Sequence, residues 1–71
     1  MNLQLKFNIG DTAYVVAAYK IHQVTIKRIR IDIQTGNHCL VEYEVKGGPN
    51  GFGTYKEEYL FHTKNELINS L

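Results

Sequence analysis

Two arginines, Arg28 and Arg30, have the side-chain type and spacing that suit an anion site. They alternate with Ile29 and Ile31, and because strand side chains point alternately to two faces, both arginines should point outward together. Each guanidinium group offers forked donors that fit the oxygens of a phosphate group. The pattern therefore predicts a site for a phosphate-bearing, nucleotide-like ligand. Asp32 on the same face offers the arginines a partner within the chain, so a solvated strand face guarded against edge pairing is the alternative.

A glycine-rich segment, residues 46–53, supplies the second candidate site. Phe52 lies between Gly51 and Gly53, where we expect the exposed tip of a loop. Such a ring would stack on a nucleobase or a partner side chain, and the glycine amides would approach an anion closely. The alternative is that Phe52 folds back over the mouth of the barrel as a plug. The predicted ligand-binding residues are Arg28, Arg30, Gly51, Phe52, Gly53 and Tyr55.

Tyrosine is unusually frequent, with five in 71 residues. We expect Tyr43 and Tyr59 to line the edge of the core. The remaining tyrosines are either amphipathic residues at barrel ends or an aromatic platform with hydroxyl groups. These three are Tyr14, Tyr19 and Tyr55.

No arrangement of residues points to catalysis. The three histidines, His22, His38 and His62, are far apart in the sequence. Cys39 stands at the start of a predicted strand, where a small core residue is expected rather than a nucleophile. The glycines are not followed by a helix, so no phosphate-binding loop or dinucleotide fingerprint is formed. We therefore expect no enzymatic activity, no cofactor and no metal site.

The composition is that of one small globular domain spanning residues 1–71, with 44% hydrophobic residues. A core of this size contributes about 3–5 kcal/mol of net stability. The single cysteine rules out an internal disulfide as a further source of stability. We therefore expect the chain to be stabilised by self-association, most simply as a two-fold dimer. Eight basic and seven acidic residues give a net charge of +1, which disfavours a protein dominated by binding to phosphate backbones.

The predicted localisation is cytoplasmic. Residues 1–7 lack a basic start followed by an unbroken apolar run, which disfavours a signal peptide. No stretch approaches the roughly 20 apolar residues of a membrane span. A lone thiol also suits a reducing compartment.

The first two predicted strands position the arginines. A turn at residues 8–11 leads into a strand over 14–19, and a longer strand covers 21–33. The parity of the apolar residues changes at Lys27-Arg28, which predicts a β-bulge or sharp bend, with a short turn as the rival interpretation. A bulge would turn four residues inward together: Val24, Ile26, Ile29 and Ile31. On this basis Ile31→Asp should unfold the domain.

The remaining predicted elements flank the glycine-rich segment and form the C-terminal part of the chain. After a hairpin loop at 34–38, a strand over 39–45 places Cys39, Val41, Tyr43 and Val45 on one side. Residues 46–53 should be loop, and a fourth strand should cover 55–61. Thr63 and Glu66 have the spacing of a helix capping box, with an apolar stripe formed by Leu67, Ile68 and Leu71.

The opening Ile9-Gly10-Asp11, with Tyr14-Val15, and the closing Leu60-Phe61, with Thr63-Lys64 and Glu66-Leu67, resemble small SH3-like barrel proteins. They look most like short uncharacterised proteins encoded by bacteriophages and mobile elements of low-GC Gram-positive bacteria. The resemblance implies a mainly β fold: a small SH3-like β-barrel of four to five antiparallel strands with a short C-terminal helix. Similar openings occur in KOW and Tudor-type domains, but this chain lacks a full aromatic cage and is not basic.

The resemblance also implies a function. The first hypothesis is a non-catalytic, oligomeric binding protein: a phage-type accessory factor that inhibits host defence by sequestering a nucleotide-like signal or occupying a host protein. The second is a nucleic-acid-associated module in transcription or translation. The third is a protein-interaction adaptor. These hypotheses rest on fold-level analogy.

Overall fold

The computed structural model describes residues 4–36 and 38–71. Its four strands form one open antiparallel sheet in the order β1-β2-β3-β4. The prediction of a mainly β chain with four antiparallel strands and a short C-terminal helix is confirmed. The elements are β1 Thr12–Ala17, β2 Lys20–Gln34, β3 His38–Gly47, β4 Phe52–Lys56, a 3-10 turn Glu57–Tyr59 and α1 Lys64–Asn69.

A two-residue turn joins β1 to β2, so β1 ends before the predicted position 19. Ala17 pairs directly with Lys20. Ala18 and Tyr19 adopt positive φ angles of 52° and 62°, the backbone conformation that a tight hairpin turn of matching twist requires. The apolar run gave no sign of this turn because neither residue is the glycine or asparagine usually found there. The Tyr19 side chain is consequently fully exposed.

The predicted bulge in β2 is confirmed. The pairing of β2 with β3 shifts register between Ile26 and Arg28, which leaves Lys27 without a paired residue. Val24 and Ile26 are buried before the bulge, and Ile29 packs against the same core after it. The extra residue thus lets the even-numbered apolar residues before the bulge and the odd-numbered Ile29 after it face the same core.

The prediction that Ile31 points into the core is wrong, because its side chain is 40% exposed. β1 pairs only with residues 20–25 of β2, and β4 pairs only with residues 42–46 of β3. Residues 31–34 and 38–41 therefore extend beyond both neighbouring strands as a two-stranded arm. A charge at position 31 would not be buried, so the expected unfolding by Ile31→Asp does not follow.

The fourth strand begins and ends earlier than predicted. β3 continues through Gly47, and Gly47 N–H donates to the carbonyl of Gly51 at 2.8 Å. Positive φ angles at the glycines of this segment allow that tight connection, so β4 starts at Phe52. It ends at Lys56, where the chain enters the 3-10 turn. Tyr59 lies in this turn and is 56% exposed, which corrects its predicted place at the edge of the core.

The core lies on one face of the sheet. After the 3-10 turn the chain returns to β1, where Phe61 N–H donates to Tyr14 O at 3.0 Å and Tyr14 N–H donates to Phe61 O at 2.9 Å. This bridge brings Leu60 into the core. The buried cluster comprises Phe7, Ala13, Val15, Val24, Ile26, Tyr43, Val45 and Leu60.

The predicted cap of α1 by Thr63 is confirmed, while the Glu66 side chain reaches back to the residue before the N-cap and not to Thr63 N–H. Thr63 Oγ1 accepts a hydrogen bond from Glu66 N–H, and the Glu66 carboxylate accepts one from His62 N–H, both at 3.1 Å. The predicted apolar stripe is wrong, because α1 has six residues and buries only Leu67. Ile68 and Leu71 are exposed. None of the helices in residues 4–36 and 38–71 has the length and apolar character to cross a membrane.

Candidate functional site

Three of the predicted ligand-binding residues, Arg28, Arg30 and Phe52, share the side of the sheet opposite the core, here called the outer face. Arg28 pairs with Glu44, Arg30 with Glu42, and Lys46 with Phe52. Because residues paired across antiparallel strands project to the same side, all of these side chains belong to one surface. The sequence thus placed the arginines correctly on an outward face.

The outer face alternates in charge. Arg28 Nη1 lies 3.5 Å from Glu44 Oε2, and both side chains are accessible to solvent. Arg30 stands across from Glu42, which is itself across from Lys56 on β4. A phosphate group arriving here would meet carboxylates as well as cations. The arrangement is better suited to keeping the sheet soluble than to concentrating an anion.

Phe52 does not plug the interior. It is the first residue of β4 and is 75% exposed beside Lys46. Gly51, at φ +81°, has open space around the position of a Cβ atom. A Cβ atom on Gly53 would instead lie 3.0 Å from the Tyr55 ring. A side chain at position 53 would therefore press the Tyr55 ring aside by a few tenths of an ångström, whereas Gly51 serves the turn before Phe52.

Tyr55 lies on the opposite side of the sheet from Phe52. It pairs with Tyr43 and packs, half-buried, against the core. The predicted set therefore divides between two surfaces, with Arg28, Arg30 and Phe52 on one and Tyr55 on the other. Strand alternation places residues 52 and 55 on opposite sides, since their separation is odd.

Tyr55 borders a groove between β1, the 3-10 turn and α1. The groove has a volume of about 520 Å³. Three of its side chains are exposed to solvent: Val16 at 43%, Tyr59 at 56% and Leu71 at 84%. We call this surface the α1 groove. Its lining residues are Val15, Val16, Tyr55, Glu58, Tyr59, Phe61, Leu67, Ser70 and Leu71.

Only part of the α1 groove is predictable from the sequence. The surplus of tyrosines predicts an aromatic surface, but a single strand over residues 55–61 would place Tyr59 at the edge of the core. The 3-10 turn interrupts that strand. The turn brings Tyr59 and Phe61 beside α1, which no local pattern indicated.

A second cluster joins Tyr43, Glu57 and Lys6. The Tyr43 hydroxyl donates to Glu57 Oε2 at 2.5 Å and accepts from the backbone N–H groups of Lys6 at 3.1 Å and Phe7 at 3.3 Å. Lys6 N–H also donates to Glu57 Oε2 at 3.0 Å. Burial, with the hydrogen bond to Glu57 as the next cause, raises the pKa of Tyr43 to about 12.

The role of this cluster is structural, because its groups bond to one another and to the backbone. The Lys6 ammonium group donates to the Leu60 carbonyl and lies 4.9 Å from the centroid of the Phe61 ring. The Tyr43 proton is held firmly at neutral pH, so the hydroxyl is poorly suited to general acid–base work. Its hydrogen bonds tie the N-terminal segment to β3 and to the 3-10 turn.

The histidines lie on separate elements. His22 contacts the Ala17 carbonyl at 3.1 Å, and the His62 ring lies 4.4 Å from that of Phe7. Among the residues that the structure describes, no group of three or more His, Cys, Asp or Glu side chains could hold a metal ion. No family model matches the chain, and neither a curated protein nor a solved structure matches it significantly.

Proposed function

We propose that this protein is a non-catalytic binding protein that captures a partner protein through the α1 groove. The observation that carries the proposal is the exposure of apolar side chains around this groove in a chain of 71 residues. Tyrosine is enriched among the residues that carry binding energy at interfaces, and hydrophobic and aromatic side chains line most binding pockets. The groove's volume of about 520 Å³ suits a few side chains of a peptide segment.

The chemistry of the groove favours a peptide over a nucleotide. Among the residues that the structure describes, its lining includes one charged side chain, Glu58, and no cation. A phosphate-bearing ligand would be repelled there, whereas a segment with apolar residues and a flanking lysine or arginine would complement Glu58. The cations of the outer face are interleaved with Glu42 and Glu44.

The proposed architecture is an SH3-like barrel. It is supported by the bridge between Phe61 and Tyr14, which returns the chain to β1 after the 3-10 turn. The proposed setting is that of a phage-type accessory factor in the host cytoplasm. In that setting, capture of a host defence protein suits the groove better than sequestration of a nucleotide signal.

The proposal is tested by selecting binders from a yeast-displayed library of short random peptides. We expect the selected peptides to combine apolar side chains with a lysine or arginine. Tyr59→Ser and Leu71→Ser should each weaken binding by about tenfold or more, because each removes an anchor worth about 1.4 kcal/mol. Amide chemical-shift changes on binding should cluster at Val15, Val16 and Tyr59.

Phe52→Ser is the matched control, because it removes an exposed aromatic ring from the outer face. It should leave peptide affinity within about twofold of wild type, since surface changes away from a binding site have small effects. Unchanged affinity in the Tyr59 variant, or shifts centred on Phe52, would contradict the proposal.

A nucleotide-like ligand on the outer face is the second candidate, favoured by the exposure of Phe52 beside Lys46. Native mass spectrometry of protein purified from host extract distinguishes the two. A bound nucleotide that is detected on wild type and is lost in the double variant Arg28→Ala, Arg30→Ala would support this second candidate and contradict the peptide proposal.

A further inference from the structure

One edge of β2 lies open beyond the bulge. β1 pairs with β2 only as far as Thr25, and the backbone of Ile26 is bonded to Gly10 and Asp11. Within the described part of the chain, no backbone hydrogen bond joins residues 28–34 to another segment on that side. An unpaired strand edge of this length is a template for another strand.

The backbone groups of three isoleucines point to this edge. Gly47 N–H donates to Gly51 O, so Gly47 is bonded towards β4. Because backbone groups alternate in direction along a strand, the even-numbered residues of β3, including Leu40 and Glu42, bond towards β2. Their partners are Asp32 and Arg30. The intervening residues Ile29, Ile31 and Ile33 therefore direct N–H and C=O groups to the open edge.

The side chains along this edge form two rows. The apolar row continues outward from the core, with Ile31 at 40% exposure and Ile33 at 65%. The row on the outer face consists of Arg28, Arg30 and Asp32, which carry both signs of charge. Both rows end at the tip of the arm.

We infer that a second copy of this chain pairs along this edge, antiparallel, with a two-fold axis at Ile31. In that register Ile31 faces its counterpart, Ile29 faces Ile33 of the other copy, and Arg30 faces Asp32 of the other copy. The contact is self-complementary in charge and in apolar character. The two sheets become one eight-stranded sheet across the dimer.

The backbone alone would allow other pairing registers along this edge, and the charged side chains favour the one with its axis at Ile31. An axis at Ile29 would place Arg28 opposite Arg30, and like charges directly opposite are destabilising. An axis at Ile33 would shorten the pairing and leave Arg30 opposite the hairpin loop. With the axis at Ile31, each Arg30–Asp32 pair is a non-hydrogen-bonded pair, where Cα atoms are about 4.5 Å apart and side chains are close.

Cross-linking tests the register. Ile31→Cys in a Cys39→Ala background should form a symmetric disulfide-linked dimer on mild oxidation, because the two Cα atoms would be about 5.5 Å apart. Ile33→Cys in the same background is the matched control. Its two copies would be about 14 Å apart, too far for a disulfide. Equal cross-linking of both variants, or none of Ile31→Cys, would overturn the register.

Charge exchange tests the interface by sedimentation velocity at about 10 to 500 µM protein. Arg30→Asp and Asp32→Arg should each shift the chain to monomer, and the double exchange should restore the dimer. Lys56→Asp on β4 should remain dimeric. Melting temperatures of the variants distinguish lost association from unfolding. A wild-type chain that stays monomeric throughout this range, or a double exchange that fails to recover, would overturn the inference.

Discussion

At the scale of single residues, Tyr43 links three separate segments: β3, the N-terminal segment and the 3-10 turn. Its ring is fully buried against Phe7, with ring centroids 5.5 Å apart, and its hydroxyl bonds to Glu57 and to two backbone N–H groups. A buried hydroxyl without partners would cost about 1–3 kcal/mol. Here its partners hold the N-terminal segment and the 3-10 turn to β3.

The raised pKa of Tyr43 predicts a loss of stability at alkaline pH. The folded-state pKa is about 12 against an ordinary 10, so the contribution is fully present below pH 10 and is lost as pH rises towards 12. Two pKa units correspond to up to about 2–3 kcal/mol of unfolding free energy. Urea unfolding of wild type and Tyr43→Phe is measured at pH about 9 and about 11.5. The difference in unfolding free energy in favour of wild type should be smaller at the higher pH.

Absorbance of tyrosinate supplies the independent readout for this prediction. Wild type should show an ionisation near pH 12 that Tyr43→Phe lacks. A wild-type advantage that is the same at both pH values would contradict the assignment of the raised pKa to Tyr43.

At the scale of elements, two local devices shape the sheet. The bulge at Lys27 realigns β2 so that Val24, Ile26 and Ile29 reach one core. The turn at Ala18 and Tyr19 uses positive φ angles to reverse the chain in two residues. Only the first left a mark in the sequence, because the bulge changes the parity of apolar residues and the turn does not.

The Thr63 cap predicts the effect of a single helix substitution. Thr63→Ala removes the acceptor for Glu66 N–H, and loss of such a cap costs about 1 kcal/mol. Because α1 is short and forms one wall of the α1 groove, we expect weaker peptide binding as well as a lower urea midpoint. Asn65→Ala, at an exposed helical position, is the control: it should leave peptide binding unchanged and keep or slightly raise the urea midpoint, because alanine has the higher helix propensity. Equal midpoints for the two variants would contradict the role of the cap.

At the scale of the whole molecule, charge is balanced and apolar surface is uneven. The net charge is +1, and the outer face interleaves cations with carboxylates. Exposed apolar side chains occur together at the α1 groove and at the arm, whereas Ile9, Tyr19 and Phe52 are exposed singly elsewhere. These two surfaces are separate, so partner capture and self-association can be tested independently.

This distribution predicts a weak dependence of partner binding on salt. Peptide affinity should change by less than about tenfold between about 50 and 500 mM NaCl, because Glu58 is the one charged residue lining the groove in residues 4–36 and 38–71. A nucleic-acid-binding module making several phosphate contacts would lose several orders of magnitude in affinity over such a range. Titration of the selected peptide and of a single-stranded DNA at both salt concentrations makes the comparison. Steep salt dependence with tight DNA binding would favour the nucleic-acid alternative.

By itself the sequence determined the features that depend on neighbouring residues. The alternation of apolar residues predicted most of the strands, and the change in its parity predicted the bulge. The spacing of Thr63 and Glu66 predicted the helix cap. Each of these features depends only on residues that are close together in the sequence. The outward direction of Arg28 and Arg30 followed from the same alternation.

Only the tertiary structure decided which surfaces those residues form. Residues 55–61 read as one strand, yet the 3-10 turn divides them and moves Tyr59 out to the α1 groove. Ile31 has the same local pattern as Ile29, yet it lies beyond the reach of β1 and β4 and stays exposed. Burial depends on what other segments cover a residue, and that coverage is a property of the folded chain rather than of any local pattern.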